Sequence, residues 1–153
     1  MKRKGQKGFT LIELMIGIFT GTIVILAAGM ILFFGQKTWN NAWKRVNLQR
    51  DASYAMLRMS LPIKAGMNAE LEGDGNAIKI YRATDWIRFF LEQASNNLKC
   101  EIEGGGPQTI INGKVEALQF NVTGNTVTIE LKLREDNLQT HFVSTVMMRN
   151  YGG

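Results

Sequence analysis

The sequence predicts an α+β fold: a long N-terminal helix, half membrane-spanning and half amphipathic, packed on an antiparallel β-sheet head. Three observations carry this expectation. Residues 9–34 form an apolar run with a single charge, Glu13. Residues 36–61 then place apolar side chains at helical spacing, and Pro62 and Gly66 follow as stop signals. The remaining chain breaks into short alternating segments between glycine- and asparagine-containing turns.

The N-terminus is basic. Lys2, Arg3, Lys4 and Lys7 precede the apolar run with no acid among them. They account for most of the net charge of +5: without residues 1–8, 14 basic residues face 13 acids. The basicity thus belongs to a leader, 1–8, and argues for an N-terminus retained in the cytoplasm. No basic stripe remains in the body to argue for nucleic-acid binding.

Residues 9–34 make roughly 39 Å of helix, more than the about 20 residues a bilayer core requires. The run exceeds the roughly 7–15 residues of a secretory signal core, and Ala27-Ala28-Gly29 is a poor cleavage site. A plain signal anchor leaves Glu13 unexplained. A carboxylate inside an inserted helix costs about 2.5–3.5 kcal/mol on insertion scales.

The segment Gly8-Phe9-Thr10-Leu11-Ile12-Glu13-Leu14 resembles the prepilin family of type IV pilin-like proteins. A basic leader ends in glycine, phenylalanine follows, and a glutamate stands fifth after that junction. The resemblance implies cleavage between Gly8 and Phe9 by a membrane prepilin peptidase, and N-methylation of the new Phe9 amine. It implies that Glu13 pairs with the amine of a neighbouring subunit as helices dock. The chemistry is consistent with this. Gly8 lets a protease approach its carbonyl, and an unpaired carboxylate in low dielectric is costly. Gly17 and Gly21 form a small-xxx-small pair, the spacing at which membrane helices approach closely, although glycine is common in such helices anyway. Major pilins carry a helix-breaking proline within this run. Gly29 and Met30 stand near that place here.

The amphipathic continuation covers 35–66. Trp39, Trp43, Val46, Leu48, Ala52, Met56, Met59 and Ile63 are expected to pack into the core, while Lys44, Arg45, Arg50, Asp51 and Arg58 fill other positions. From Phe9 to about Leu61 this makes one helix of about 53 residues, roughly 80 Å. Residues 50–60 with Ile63-Lys64-Ala65-Gly66 resemble the helix end of minor pilins, as does the closing Met148-Arg149-Asn150.

Residues 67–153 read as a β-rich head of six or seven strands: 78–81, 86–92, 98–102, 109–111, 115–122, 126–133 and 141–148. Asn112-Gly113 marks a hairpin between 109–111 and 115–122, and Gly124-Asn125 one between 115–122 and 126–133. Such a head is small, and its core modest.

Catalytic chemistry finds little support. His141 is the single histidine, with no acid–nucleophile set around it in sequence. Cys100 alternates with Leu98 and Ile102 and reads as a small buried hydrophobe. One Cys and one His assemble neither a disulfide nor a zinc site. Glu70, Glu72, Asp74 and Asn76, with Gly73 and Gly75 between, form a weak calcium candidate that reads more simply as a solvated polar loop. Gly104-Gly105-Gly106-Pro107 is a turn, and Asn121-Val122-Thr123 a sequon at a strand end.

No enzyme and no cofactor are expected. The resemblance implies a minor pilin-like subunit incorporated into, and priming, a type IV pilus. A minor pseudopilin of type II secretion (J-type) or of a competence system is the alternative within the family. A single-span envelope protein with a ligand-binding head is the alternative outside it. The implied partners are the prepilin peptidase, other pilin or pseudopilin subunits and the inner-membrane assembly platform. The implied location is the inner membrane, crossed once, with the head periplasmic or extracellular, and then the filament.

Overall fold

The structure, a computed structural model, describes residues 9–149. The leader 1–8 and Asn150 lie outside the described residues. The chain divides into two units, Met1–Trp43 and Lys44–Gly153. One helix, α1 (Leu11–Ala65), supplies the first unit and the opening of the second. It is unbroken at Gly29 and Met30.

Five strands follow as an antiparallel meander: β1 (Asn68–Glu72), β2 (Ala77–Tyr81), β3 (Trp86–Glu92), β4 (Asn97–Ile102) and β5 (Gln108–Ile111). Three longer strands, β6 (Val115–Thr123), β7 (Thr126–Glu135) and β8 (Leu138–Met147), make a second antiparallel sheet. The architecture is α+β, with a long helix packed on antiparallel sheets.

Several expectations are corrected. Pro62 does not stop the helix, which continues to Ala65. Proline removes one N–H and frees one carbonyl a turn earlier. In the last turn that loss is tolerated, because fully buried Ile63 anchors the chain just beyond it. The end comes at Gly66, whose N–H donates to Ile63 O at 3.1 Å. A Cβ at Gly66 would lie 2.7 Å from Ile80 Cγ2, so the close approach of helix end and sheet requires glycine. The Lys64 carbonyl accepts from Arg149 N–H at 3.1 Å.

The core-facing stripe of α1 is Leu48, Ala52, Ala55, Met59 and Ile63, all fully buried. Trp39, Trp43 and Val46 are not core residues; the two tryptophans are 71% and 60% exposed. Their mutual spacing is helical, but it belongs to another face. At about 100° per residue, Val46 points roughly 200° away from Leu48. Met56 is only half-buried, packed at the edge of the core.

There are two sheets where one was expected, because Asn112-Gly113 does not join a hairpin. β5 pairs with β4, and β6 pairs with β7. The turn carries the chain from one sheet to the other, held by Gly113 N–H to Asn97 Oδ1 (2.7 Å) and Val115 N–H to Asn96 O (3.0 Å). Gly124-Asn125 does close a hairpin, between Thr123 and Thr126. β1 is an addition to the expected strands: the pattern at 70–76 reads as a polar loop, but Asn68–Glu72 pairs with β2. β8 begins at Leu138, earlier than its sequence pattern suggested.

Strand alternation builds the core. Val127, Ile129, Leu131 and Leu133 of β7 all face inward and are fully buried. They join Leu118 and Phe120 of β6, Ile78 and Ile80 of β2, Phe89 of β3, Leu98 of β4 and the helix stripe in one cluster. Gly75 ties the sheets together. Its carbonyl accepts from Phe120 N–H at 2.7 Å, its φ is +85°, and an added Cβ would sit 3.1 Å from Phe120 O. One ion pair joins α1 directly to the β7–β8 end, and Lys114, just before β6, bridges an acid of α1 to an acid at the end of β7. Lys44 Nζ lies 2.5 Å from Asp136 Oδ2. Lys114 Nζ lies 3.2 Å from Asp51 Oδ2 and 3.1 Å from Glu135 Oε2, the latter oxygen lacking a well-aligned donor. Lys44 holds the Asp136 carboxyl below its ordinary range, chiefly by hydrogen bonding. That contribution is present above the ordinary carboxylate pKa and is lost as pH falls through the lowered value. Its exposure keeps it small.

Candidate functional site

Thr10 and Glu13 build a capping box at the start of α1. The Thr10 N–H and hydroxyl each donate to Glu13 Oε2 at 2.9 Å, and Glu13 N–H reaches back to Thr10 Oγ1 at 3.4 Å. Two N-terminal donors are thereby satisfied, with a negative side chain at the positive end of the helix dipole. Both acceptor bonds fall on Oε2. Oε1 has no protein donor among the described residues. The box has a plain sequence signature, a threonine three residues before a glutamate ahead of an apolar run.

Phe9 is described and 86% exposed. Gly8, the other half of the expected cleavage junction, lies outside the described residues. From Leu14 to Phe34 the helix surface is almost wholly apolar and exposed, and none of its most apolar window is buried. α1 is long and apolar enough to cross a membrane. The polar groups in this stretch are satisfied internally: the Thr20 and Thr22 hydroxyls donate to Ile16 O and Ile18 O, each at 2.8 Å. A Cβ at Gly17 or Gly21 would meet nothing within 4 Å. The two glycines thus leave a shallow open strip on the helix.

The head residues singled out from sequence do not gather into a site. Glu70 and Glu72 lie in β1: Glu70 Oε2 accepts from the Tyr81 hydroxyl at 2.8 Å, and Glu72 Oε2 from Arg88 Nε at 2.6 Å. Asp74 and Asn76 belong to the following turn. Among the described residues no three His, Cys, Asp or Glu side chains are grouped to hold a metal ion. Cys100 and Leu98 are buried as expected, whereas Ile102 is 40% exposed. Burial pushes the Cys100 thiol pKa up, the lesser pull of Arg58 and Arg82 notwithstanding, which disfavours the thiolate. His141 is exposed on β8, its Nε2 3.8 Å from Glu130 Oε2. The cations on the outer face of the first sheet have partners. Lys79 Nζ stands 4.3 Å from the Trp86 ring centroid, and Arg88 lies 4.6 Å from that of Phe90.

Comparison with known proteins adds one finding. Residues 3–33 match the family described as the prokaryotic N-terminal methylation motif. No curated protein and no solved structure matches the chain. The motif, on an exposed apolar N-terminal helix, supports a type IV pilin-like, prepilin-type protein that is membrane-anchored by a single pass.

Proposed function

We propose that this chain is a minor pilin-like subunit that is built into a type IV pilus and primes its assembly. Prepilin peptidase cuts between Gly8 and Phe9, and the new Phe9 amine is methylated. The observation that carries this reading is the motif match over 3–33 together with an apolar helix surface that nothing among the described residues covers. Such a surface must be covered by lipid before assembly and by neighbouring stems after it.

The capping box supports a role for Glu13 in docking. It survives cleavage, because the Thr10 N–H is still an amide when Phe9 becomes the terminus. Its bonds hold the carboxylate at the very end of the helix and leave Oε1 for the amine of an adjacent subunit. Two opposite charges meeting in a low-dielectric filament core attract strongly, and either alone is expensive there. Gly17 and Gly21 provide the strip along which a neighbouring helix can approach. The head then lies outside the helical core of the filament.

The test is the quantity of pili sheared from a strain lacking this chain. The expected result is a loss of surface pili, restored by the intact gene. Unchanged pili together with impaired protein secretion or DNA uptake would instead assign the chain to a type II secretion or competence pseudopilus.

A further inference from the structure

Trp39 and Trp43 stand on α1 outside the core cluster of the described residues: both are large, apolar-bodied and mostly exposed. We infer that they are an interfacial anchor, seated in the lipid headgroup layer on the head side of the membrane while the subunit awaits assembly. The inference rests on the reading of 9–34 as a membrane span.

The charges fix the depth of the helix. Between Glu13 and Lys37 no residue carries a charge. That interval makes roughly 34 Å of helix, against a hydrocarbon core of about 30 Å. The helix therefore slides by only a few ångströms before a carboxylate or an ammonium enters the hydrocarbon. Within that play, Trp39 lies about 4–8 Å beyond the core and Trp43 about 10–14 Å. The headgroup layer on each side is about 5–7 Å thick. Helical side chains lean toward the N-terminus, here toward the membrane. The lean brings the Trp39 indole into the layer and the Trp43 indole to its outer margin.

The chemistry of the pair suits that place. Indole combines an apolar ring with one N–H donor, and tryptophan concentrates where one side is wet and the other apolar. The two side chains are four residues apart, on one face of the helix. Lys37 adds an ammonium that the phosphates of anionic lipids attract. In solution this face is an exposed aromatic patch without a function; at a membrane surface it resists both sinking and withdrawal of the helix. Extraction of the subunit into a filament must break this seat.

The test is tryptophan fluorescence of the full chain in vesicles of phosphatidylethanolamine and phosphatidylglycerol. Variants retain one tryptophan each: Trp43→Phe with Trp86→Phe leaves Trp39, and Trp39→Phe with Trp86→Phe leaves Trp43. The expected result for Trp39 is blue-shifted emission, quenched several-fold more by lipids brominated near the carbonyl than by lipids brominated at the chain end. Trp43 should show the same preference more weakly. Indifference of both to brominated lipid, with free quenching by aqueous iodide in vesicles that retain the chain, would overturn the anchor and leave the span standing. Quenching mainly by deep bromines would also overturn it. A chain that fails to stay with the vesicles would overturn the span and the anchor together. Protection from iodide in sheared filaments but not in vesicles would assign the pair to a neighbouring subunit instead.

Discussion

Glu13→Leu is expected to enter the membrane normally and to be lost from filaments. Leucine is apolar, so the change removes the single charge that opposes insertion of 9–34. It also removes the acceptor for the Thr10 N–H and hydroxyl, which loosens the first turn. A companion variant separates the cap from the charge. Glu13→Gln keeps an acceptor for the Thr10 N–H and hydroxyl, but it cannot neutralise a neighbour's amine. Both variants should fall in filament content by about tenfold or more, the loss that roughly 1.4 kcal/mol produces. Membrane fractionation and immunoblotting of sheared filaments read the two effects separately. Wild-type incorporation of Glu13→Gln would sink charge pairing as the docking mechanism. Normal incorporation of both variants would favour an envelope protein whose helix is only an anchor.

The second large effect is in the head. Phe120→Ala should cost about 3–5 kcal/mol, the range for removing a buried aromatic side chain. Phe120 is 2% exposed within the single core cluster, and its backbone N–H holds the Gly75 carbonyl. Total stability of a domain this size is of order 5–15 kcal/mol. The melting midpoint of the full chain in detergent micelles should fall by on the order of 15 °C. Val143→Ala, at a residue 56% exposed on β8, is the control and should leave it nearly unchanged. Equal shifts in the two variants would contradict the placement of Phe120 in the core.

Features governed by composition or local pattern were legible in the sequence. The leader, the apolar run and Glu13 announced a prepilin-type N-terminus, and residues 3–33 match the methylation motif. Alternation gave β2 and β4, and Gly124-Asn125 between two apolar segments gave the β6–β7 hairpin. What escaped depends on tertiary context. β1 reads Asn68-Ala69-Glu70-Leu71-Glu72, acidic and largely exposed; it is an edge strand because β2 offers it a ladder. Asn112-Gly113 signals a turn but not which strands pair beyond it, so the split into two sheets was invisible. Trp39 and Trp43 share a helical period with each other but not with the stripe that the sheets cover. Periodicity reports that a face exists and leaves open what lies against it.

The central claim is that this chain is processed at Gly8–Phe9 and becomes part of a filament. Mass spectrometry of the chain's N-terminal peptide from sheared surface filaments tests it most directly. The account predicts a peptide that begins at N-methylated Phe9. Absence of the chain from filaments, or a peptide that still carries residues 1–8, would contradict it.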